Sequence, residues 1–186
     1  MNKPILEGEK VRLRPITVDD AAGMSAALSD EEGMRLTGTQ DSFTYEQVEA
    51  FCKKVSQADD RADYAITLKG DPDSKYIGEV VLNEIDDDNR SASFRIAMQG
   101  KAYFGKGYGS EATRLIIEYG FETLNLHRIE LEVYDFNRRA QRVYEKAGFV
   151  QEGVKRDVLL WEGNYQSAIV MSILEDEWRA RIEKRG

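Results

Sequence analysis

Residues 99–112 read QGKAYFGKGYGSEA, and this stretch limits the folds open to the chain more than any other. Gly105, Gly107 and Gly109 alternate with Lys106 and Tyr108, directly ahead of a run in which Ala112, Leu115, Ile116 and Tyr119 recur at helical spacing. That pattern predicts a helix over 108–124 entered from a glycine loop. The first-turn N–H groups of such a helix have no partner inside it, and the macrodipole favours negative charge there. Glycines keep side chains off the backbone, so a phosphate can approach the amides closely. Glycines also serve tight turns without any ligand, but three of them beside a lysine at a helix N-terminus favour the phosphate reading.

Short alternating segments precede the loop. VRLRPI (11–16) reads as a half-exposed strand, and the runs 64–69, 76–85 and 91–98 read as three more. GDPDSK and DDDNR separate the last three, both rich in turn residues, which predicts an antiparallel meander. Thr17 with Asp20, and Thr44 with Gln47, are capping signals for two helices between the first and second strands. The residues between those helices, 29–42, read as a loop or a broken helix. After the glycine loop and its helix, RIELEVY (128–134) alternates as a strand. Asn137 can cap a helix over 138–147, and Gly148 stands where a left-handed C-cap residue belongs. DVLLW, an EGN turn and YQSAIVMSI make a closing hairpin. The order predicts one domain over 1–186, of α+β or mixed α/β class, around a largely antiparallel sheet.

Charge and composition narrow the function classes. The net charge of −8 argues against general nucleic-acid binding, which usually shows a basic face. It is compatible with a cationic substrate, although solubility alone accounts for it. No apolar run approaches the roughly 20 residues a membrane helix needs, and MNKPILEGEK holds no apolar stretch of signal-peptide length. A cytoplasmic protein without a membrane partner is expected. Cys52 is the sole cysteine, so neither a disulfide framework nor a cysteine metal cluster is expected, and no metal is assigned.

Three phosphate sites compete for the loop. Gly100 to Lys106 matches the start of a P-loop, but Gly107 stands where a Ser or Thr must ligate magnesium. A dinucleotide fingerprint needs G-x-G-x-x-G after a parallel strand, whereas the spacing here is G-x-G-x-G after antiparallel ones. The third candidate fits. Phe104-Gly105-Lys106-Gly107-Tyr108-Gly109 resembles the acyl-CoA signature [R/Q]-x-x-G-x-[G/A] of the GCN5-related N-acetyltransferases, departing from it at Phe104. NRRAQRVYEKAGF (137–149) resembles a second block of that family, N-x-x-A-x-x-x-Y-x-K-x-G-F. The likeness runs from VRLRPI to YQSAIVMSI, and is closest to the branch of ribosomal-protein N-terminal and spermidine N-acetyltransferases. It implies a splayed, mostly antiparallel mixed sheet of about seven strands with about four helices. The cofactor would enter the split between the fourth and fifth strands.

The resemblance also implies roles. Acetyl-CoA is the implied cosubstrate, its pyrophosphate cradled by the loop from Phe104 and Gly105 through Lys106, Gly107, Tyr108 and Gly109 to Ser110. Ile96, Ala97 and Met98 would pair by backbone with the pantetheine arm, and an N–H near Met98 would polarise the thioester carbonyl. Asn137 would contact the same arm, besides capping its helix. Tyr144, seven residues on, would be the general acid that protonates the departing sulfur, its alternative role being that of a core aromatic. The branch often carries a carboxylate base on the fourth strand, but Ser93 stands there. Glu84 is the first substitute, Glu79 the second, and water relays compete with both. An acceptor amine would attack directly in a ternary complex. That acceptor is a polyamine or other small amine, or a protein N-terminus. Asp30, Glu31, Glu32, Asp41 and Glu46 are the carboxylates near the first helices that would hold a polycation. The alternative is a non-catalytic acyl-CoA-binding regulatory module, which the missing strand-four carboxylate favours. Homologues often pair, so a homo-oligomer is possible. His127 reads as a surface or capping residue, Cys52 as a half-buried hydrophobe, and Trp161 and Trp178 as residues that pack or line an interface.

Overall fold

The computed structural model describes residues 1–184. Strands β1 (Leu6–Glu7) and β2 (Val11–Pro15) form a short hairpin that leads to α1 (Ala21–Ala27). The Thr17 N–H donates to Asp20 Oδ2 at 2.9 Å, which starts the helical segment as the sequence predicts. Asp20 is buried, and Arg14 of β2 binds both its oxygens at 2.6 and 2.7 Å, so the cap is tied to the sheet. The segment after it forms a short helix, α2 (Glu31–Thr37), capped by Asp30 and ended by left-handed Gly38. A reciprocal Thr44–Gln47 capping box opens α3 (Tyr45–Ser56).

The meander forms as β3 (Ala62–Leu68), β4 (Gly78–Asp86) and β5 (Ser91–Met98). After α4 (Tyr108–Glu122) come β6 (Arg128–Tyr134), α5 (Arg138–Ala147), the hairpin β7 (Val150–Trp161) and β8 (Asn164–Leu174), and α6 (Glu175–Glu183). The fold is mixed α+β: an eight-stranded, mostly antiparallel open sheet in the order β1-β2-β3-β4-β5-β6-β8-β7. Among the described residues it holds one strand and two helices more than the pattern predicts, namely β1, α2 and α6. Strand β7 also begins at Val150, well before DVLLW, and it stays in register with β8 only by means of two irregularities.

Strand β3 is buried on both faces. Tyr64 and Ile66 join the core beneath α4, whereas Ala65 joins a second cluster with Met24, Val48, Cys52 and Val55 under α1 and α3. The apolar stripe of α4 packs as predicted, with Ala112, Ile116 and Tyr119 almost fully buried and Leu115 nearly so. Each large side chain buried in this way contributes about 1.5–3 kcal/mol of transfer free energy. Cys52 is fully buried with Sγ 3.9 Å from Met24 Sδ, and burial pushes its thiol up to about 11. It is a small hydrophobe. His127 is a half-exposed residue whose carbonyl accepts the Glu175 N–H at 2.8 Å. Trp178 packs on Phe121 with ring centroids 5.1 Å apart, while Trp161 lies at the tip of the β7–β8 hairpin.

The sheet has one parallel pairing, and it is brief. Strands β5 and β6 are in register only at Ser91–Arg128, Ala92–Ile129 and Ser93–Glu130. Beyond Ser93 they part, which leaves Phe94–Met98 without a β6 partner in the middle of the sheet.

Candidate active site

The parting of β5 and β6 opens a cleft of about 1150 Å³, walled by β4, β5 and β6, by the N-terminal turns of α4, by α5, and by parts of α1–α3. Ile96, Ala97 and Met98 line it from β5; Phe104, Gly105, Gly107, Tyr108, Gly109 and Ser110 line it from the loop; Asn137 and Tyr144 line it from α5. Lys106 is the one predicted donor-binding residue outside that lining. Gly107 caps α4 in the left-handed region at φ 84°, and Gly105 has φ 72° with open space where a Cβ would stand. Both positions therefore demand glycine for conformation, and the space above Gly105 remains available to a ligand. Gly109 is different: it has no positive φ, and a Cβ there would sit 3.8 Å from Met98 Sδ.

Asn137 caps α5, its Oδ1 accepting the Ala140 N–H at 3.2 Å, while it also borders the cleft. One turn pair further along, Tyr144 is 8% exposed and packs edge-on against Phe94 and Phe149, with centroids 5.7 and 6.0 Å away. Burial raises its hydroxyl above the usual phenol range. The group therefore stays protonated through neutral pH, the state a proton donor needs.

Glu84 gains its place from a break in strand alternation. Asn83 pairs with Ser93 and Asp86 with Ser91, so Glu84 and Ile85 together stand opposite Ala92 in a β-bulge. Glu84 adopts φ 52°, uncommon for a residue with a side chain. Its Oε2 accepts a hydrogen bond from Ser93 Oγ at 2.7 Å, and both residues line the cleft. A carboxylate from β4 thus reaches the position on β5 where the sequence shows only a serine. Glu79 lines the same wall on β4. Its Oε2 is buried with no hydrogen-bond partner among the described residues, and burial raises its carboxyl despite opposing pull from Arg95.

The helix carboxylates singled out in the sequence, Asp30, Glu31, Glu32, Asp41 and Glu46, do not line the cleft; Asp30 caps α2, and Glu32 pairs with Lys101 at 2.6 Å. The carboxylates in the lining come from strands instead: Asp63, Glu79, Glu84, Glu130 and Glu132. Asp63 is held by both arms of Arg61 at 2.7 Å. One residue of the loop region has no signal in the motif itself. Arg139 places its guanidinium 3.8 Å from the Phe104 ring centroid and borders the cleft. A cation on α5 therefore supplies positive charge beside Phe104, the position at which the acyl-CoA signature usually has Arg or Gln.

Known proteins are similar to this chain in sequence and in fold. Residues 10–150 match the family model described as the acetyltransferase (GNAT) domain. The Bacillus subtilis protein named probable N-acetyltransferase YjcK is 31% identical over 181 residues, spanning 93% of this chain and 98% of its own. Spermidine N(1)-acetyltransferase of Escherichia coli is 35% identical over 114 residues, which cover 61% of each chain. The crystal structure of spermidine N-acetyltransferase from Vibrio cholerae in complex with CoA and spermine superposes with a TM-score of 0.84 at 26% identity, covering 92% of this chain and 99% of that one. A splayed sheet, a glycine loop capping α4 at the split, and a family match across most of the length agree with one another. The chain belongs to the GNAT family and is an N-acetyltransferase whose acyl donor is acetyl-CoA.

Proposed function

We propose that this enzyme transfers the acetyl group of acetyl-CoA to a primary amine by direct attack within a ternary complex, in one domain formed by the whole chain. The loop amides from Gly105 to Ser110 receive the pyrophosphate, and Ile96, Ala97 and Met98 pair with the pantetheine arm along the free edge of β5, much as a peptide adds to a sheet. Phe104, Lys106 and Asn137 complete the donor site. An N–H at the Met98 end polarises the thioester carbonyl, so the oxyanion develops against a preorganised donor.

The observation that carries the catalytic assignment is the Glu84–Ser93 hydrogen bond on the wall of the cleft. An alkylammonium has a reference pKa near 10.4, so a base must take its proton near neutrality. Glu84, held by a bulge in an uncommon backbone conformation, takes it, directly or through Ser93 and water. Strained geometry of this kind at a cleft carboxylate fits a catalytic position. Tyr144 gives its proton to the departing thiolate. Glu79, deeper on β4, turns a buried carboxyl oxygen without a partner among the described residues toward the acceptor side, where it can accept a hydrogen bond from the amine.

The acceptor reading that these walls support best is a polyamine or other small amine. The same cleft is lined by strand carboxylates and, from the α1–α3 side, by Met24, Leu28, Phe43 and Phe51, a mixture that suits cationic nitrogens joined by methylene segments. A protein N-terminus remains the second acceptor class. Release of free thiol from acetyl-CoA, measured against spermidine, spermine, monoamines, aminoglycosides and peptides with Ser or Ala at the N-terminus, tests this assignment. Turnover with the polyamines supports it; turnover with the peptides alone replaces the acceptor. Silence with every amine, while acetyl-CoA binds in a titration, refutes the acceptor assignment.

A further inference from the structure

We infer that Lys10, at the tip of the β1–β2 hairpin, is a phosphate-binding residue of the acetyl-CoA site, contributed from outside both family motifs. The inference rests on the proposed assignment of the glycine loop to the donor's phosphates.

Three observations carry it. First, the hairpin tip is fastened to the loop side of the molecule. Glu111, in the first turn of α4, accepts the backbone N–H groups of Glu9, Lys10 and Val11, each at 2.8 Å. A Cβ on Gly8 would come within 2.6 Å of that carboxylate, so the turn packs against it as closely as a glycine allows. Second, the Lys10 side chain extends over the loop. Its Nζ lies 3.3 Å from the Lys106 carbonyl oxygen, and a Cβ built on Gly107 would stand 3.3 Å from that Nζ. Third, the ammonium meets no carboxylate among the described residues. The Lys106 carbonyl uses one of its three donors, and the other two are available to a ligand.

The setting makes such a cation useful. Acetyl-CoA carries its negative charge on a pyrophosphate and a ribose 3′-phosphate, while the protein's net charge is −8. At physiological ionic strength, charges more than about 8 Å apart are largely screened, so attraction at the loop must come from cations placed there. Lys10 approaches from the β2 side and Arg139 from α5, leaving the loop amides between two positive groups. A lysine binds phosphate as a point charge and needs no bidentate geometry.

The test compares wild type with Lys10→Met and Lys10→Arg, using acetyl-CoA, acetyl-dephospho-CoA and acetyl-pantetheine as donors. Dissociation constants and turnover are both measured on the full chain. For Lys10→Met the affinity for acetyl-CoA falls about tenfold, one charge-assisted contact at 1.4 kcal/mol per decade. Turnover at saturation stays near wild type, acetyl-pantetheine is unaffected, and Lys10→Arg restores most of the affinity. If the loss disappears with acetyl-dephospho-CoA, the contact is to the 3′-phosphate; if it persists, the contact is to the pyrophosphate. Unchanged affinity for acetyl-CoA overturns the inference. So does an equal loss for all three donors, which would make Lys10 only a prop for the loop. A wild-type protein that binds acetyl-pantetheine and acetyl-CoA equally well refutes the loop assignment itself, before any variant is considered.

Discussion

The three backbone bonds to Glu111 permit a worked prediction for Glu111→Gln. In the wild type, Oε1 accepts from Glu9, and Oε2 accepts from both Lys10 and Val11. An amide has one oxygen, which can keep the Lys10 and Val11 donors only by turning its NH₂ toward the Glu9 N–H, donor against donor. Hydrogen bonds to a charged acceptor contribute about 1.5–3 kcal/mol, against about 0.5–1.5 for neutral ones. One bond lost and two weakened would sum to about 3.5–6 kcal/mol before any compensation by solvent. Glu9 and Lys10 are exposed and regain water, so a net cost of about 2 kcal/mol is expected. In a chain of this length that is a fall in Tm of roughly 4–8 °C near pH 7. The pH dependence has a definite sign. Burial alone would raise the Glu111 carboxyl, but the three N–H donors outweigh it and hold the group below its ordinary value of 4.5. Its contribution is therefore complete above that value and is lost as pH falls through the lowered one. Thermal unfolding followed by circular dichroism over a pH series provides the assay. A Tm within about 1 °C of wild type near neutrality, or a difference that persists undiminished in strong acid, would refute the reasoning.

Other substitutions test the proposed chemistry. Tyr144→Phe retains the ring contacts with Phe94 and Phe149, so stability and donor affinity are kept while thiol release slows by about 10²–10⁴-fold, the range of a lost general acid; near-normal turnover would leave Tyr144 a packing residue. Glu84→Gln keeps an oxygen for Ser93 and removes the base, so turnover falls at least about 10²-fold with KM for acetyl-CoA unchanged; a rate within a few-fold of wild type would transfer the role to Glu79 or to solvent. Gly109→Val places methyl groups in the cleft without requiring a left-handed backbone, so acetyl-CoA affinity drops more than about tenfold with folding retained. Unaltered binding in a titration would move the donor off the loop. Gly107 is a poorer target, since its φ of 84° makes any β-branched replacement a folding variant as well.

Much of the fold is legible in local chemistry. The Thr17–Asp20 and Thr44–Gln47 signals, the Asn137 cap and the Gly148 stop act over three or four residues, and each lies where the pattern puts it. The α4 stripe and the alternating β6 are equally local, because a period of 3.6 or 2 is written directly into the chain. What escapes the sequence is set by distance along it. The clamp from Glu111 to the β1–β2 turn joins residues 100 or more positions apart, and nothing near Glu111 announces it. Arg139 above Phe104 depends on how α5 docks beside the loop, and no spacing rule encodes that. Glu84 is an intermediate case. Its candidacy follows from the serine at 93, but its reach depends on a bulge that strand periodicity cannot anticipate. The early carboxylates Asp30 to Glu46 were the natural polycation site by position, yet helix capping and ion pairing occupy two of them, and the lining charges come from strands.

The brief β5–β6 pairing has a consequence for which sheet edges this protein offers to other chains. Unpaired strand edges template association, and sheets usually blunt them. Here the outer edges are poor templates: β1 has two residues, and β7 is irregular and carries Glu152, Lys155, Arg156 and Asp157. The unpaired edge from Phe94 to Met98, by contrast, is internal: it faces the edge of β6 that parts from it, and residues of the helices line the same cleft. A slot of that shape accepts a single slender arm but not another sheet. The enzyme can thus keep permanently available the backbone hydrogen bonds that the proposed donor site uses, in a part of the sheet where a neighbouring molecule cannot compete for them.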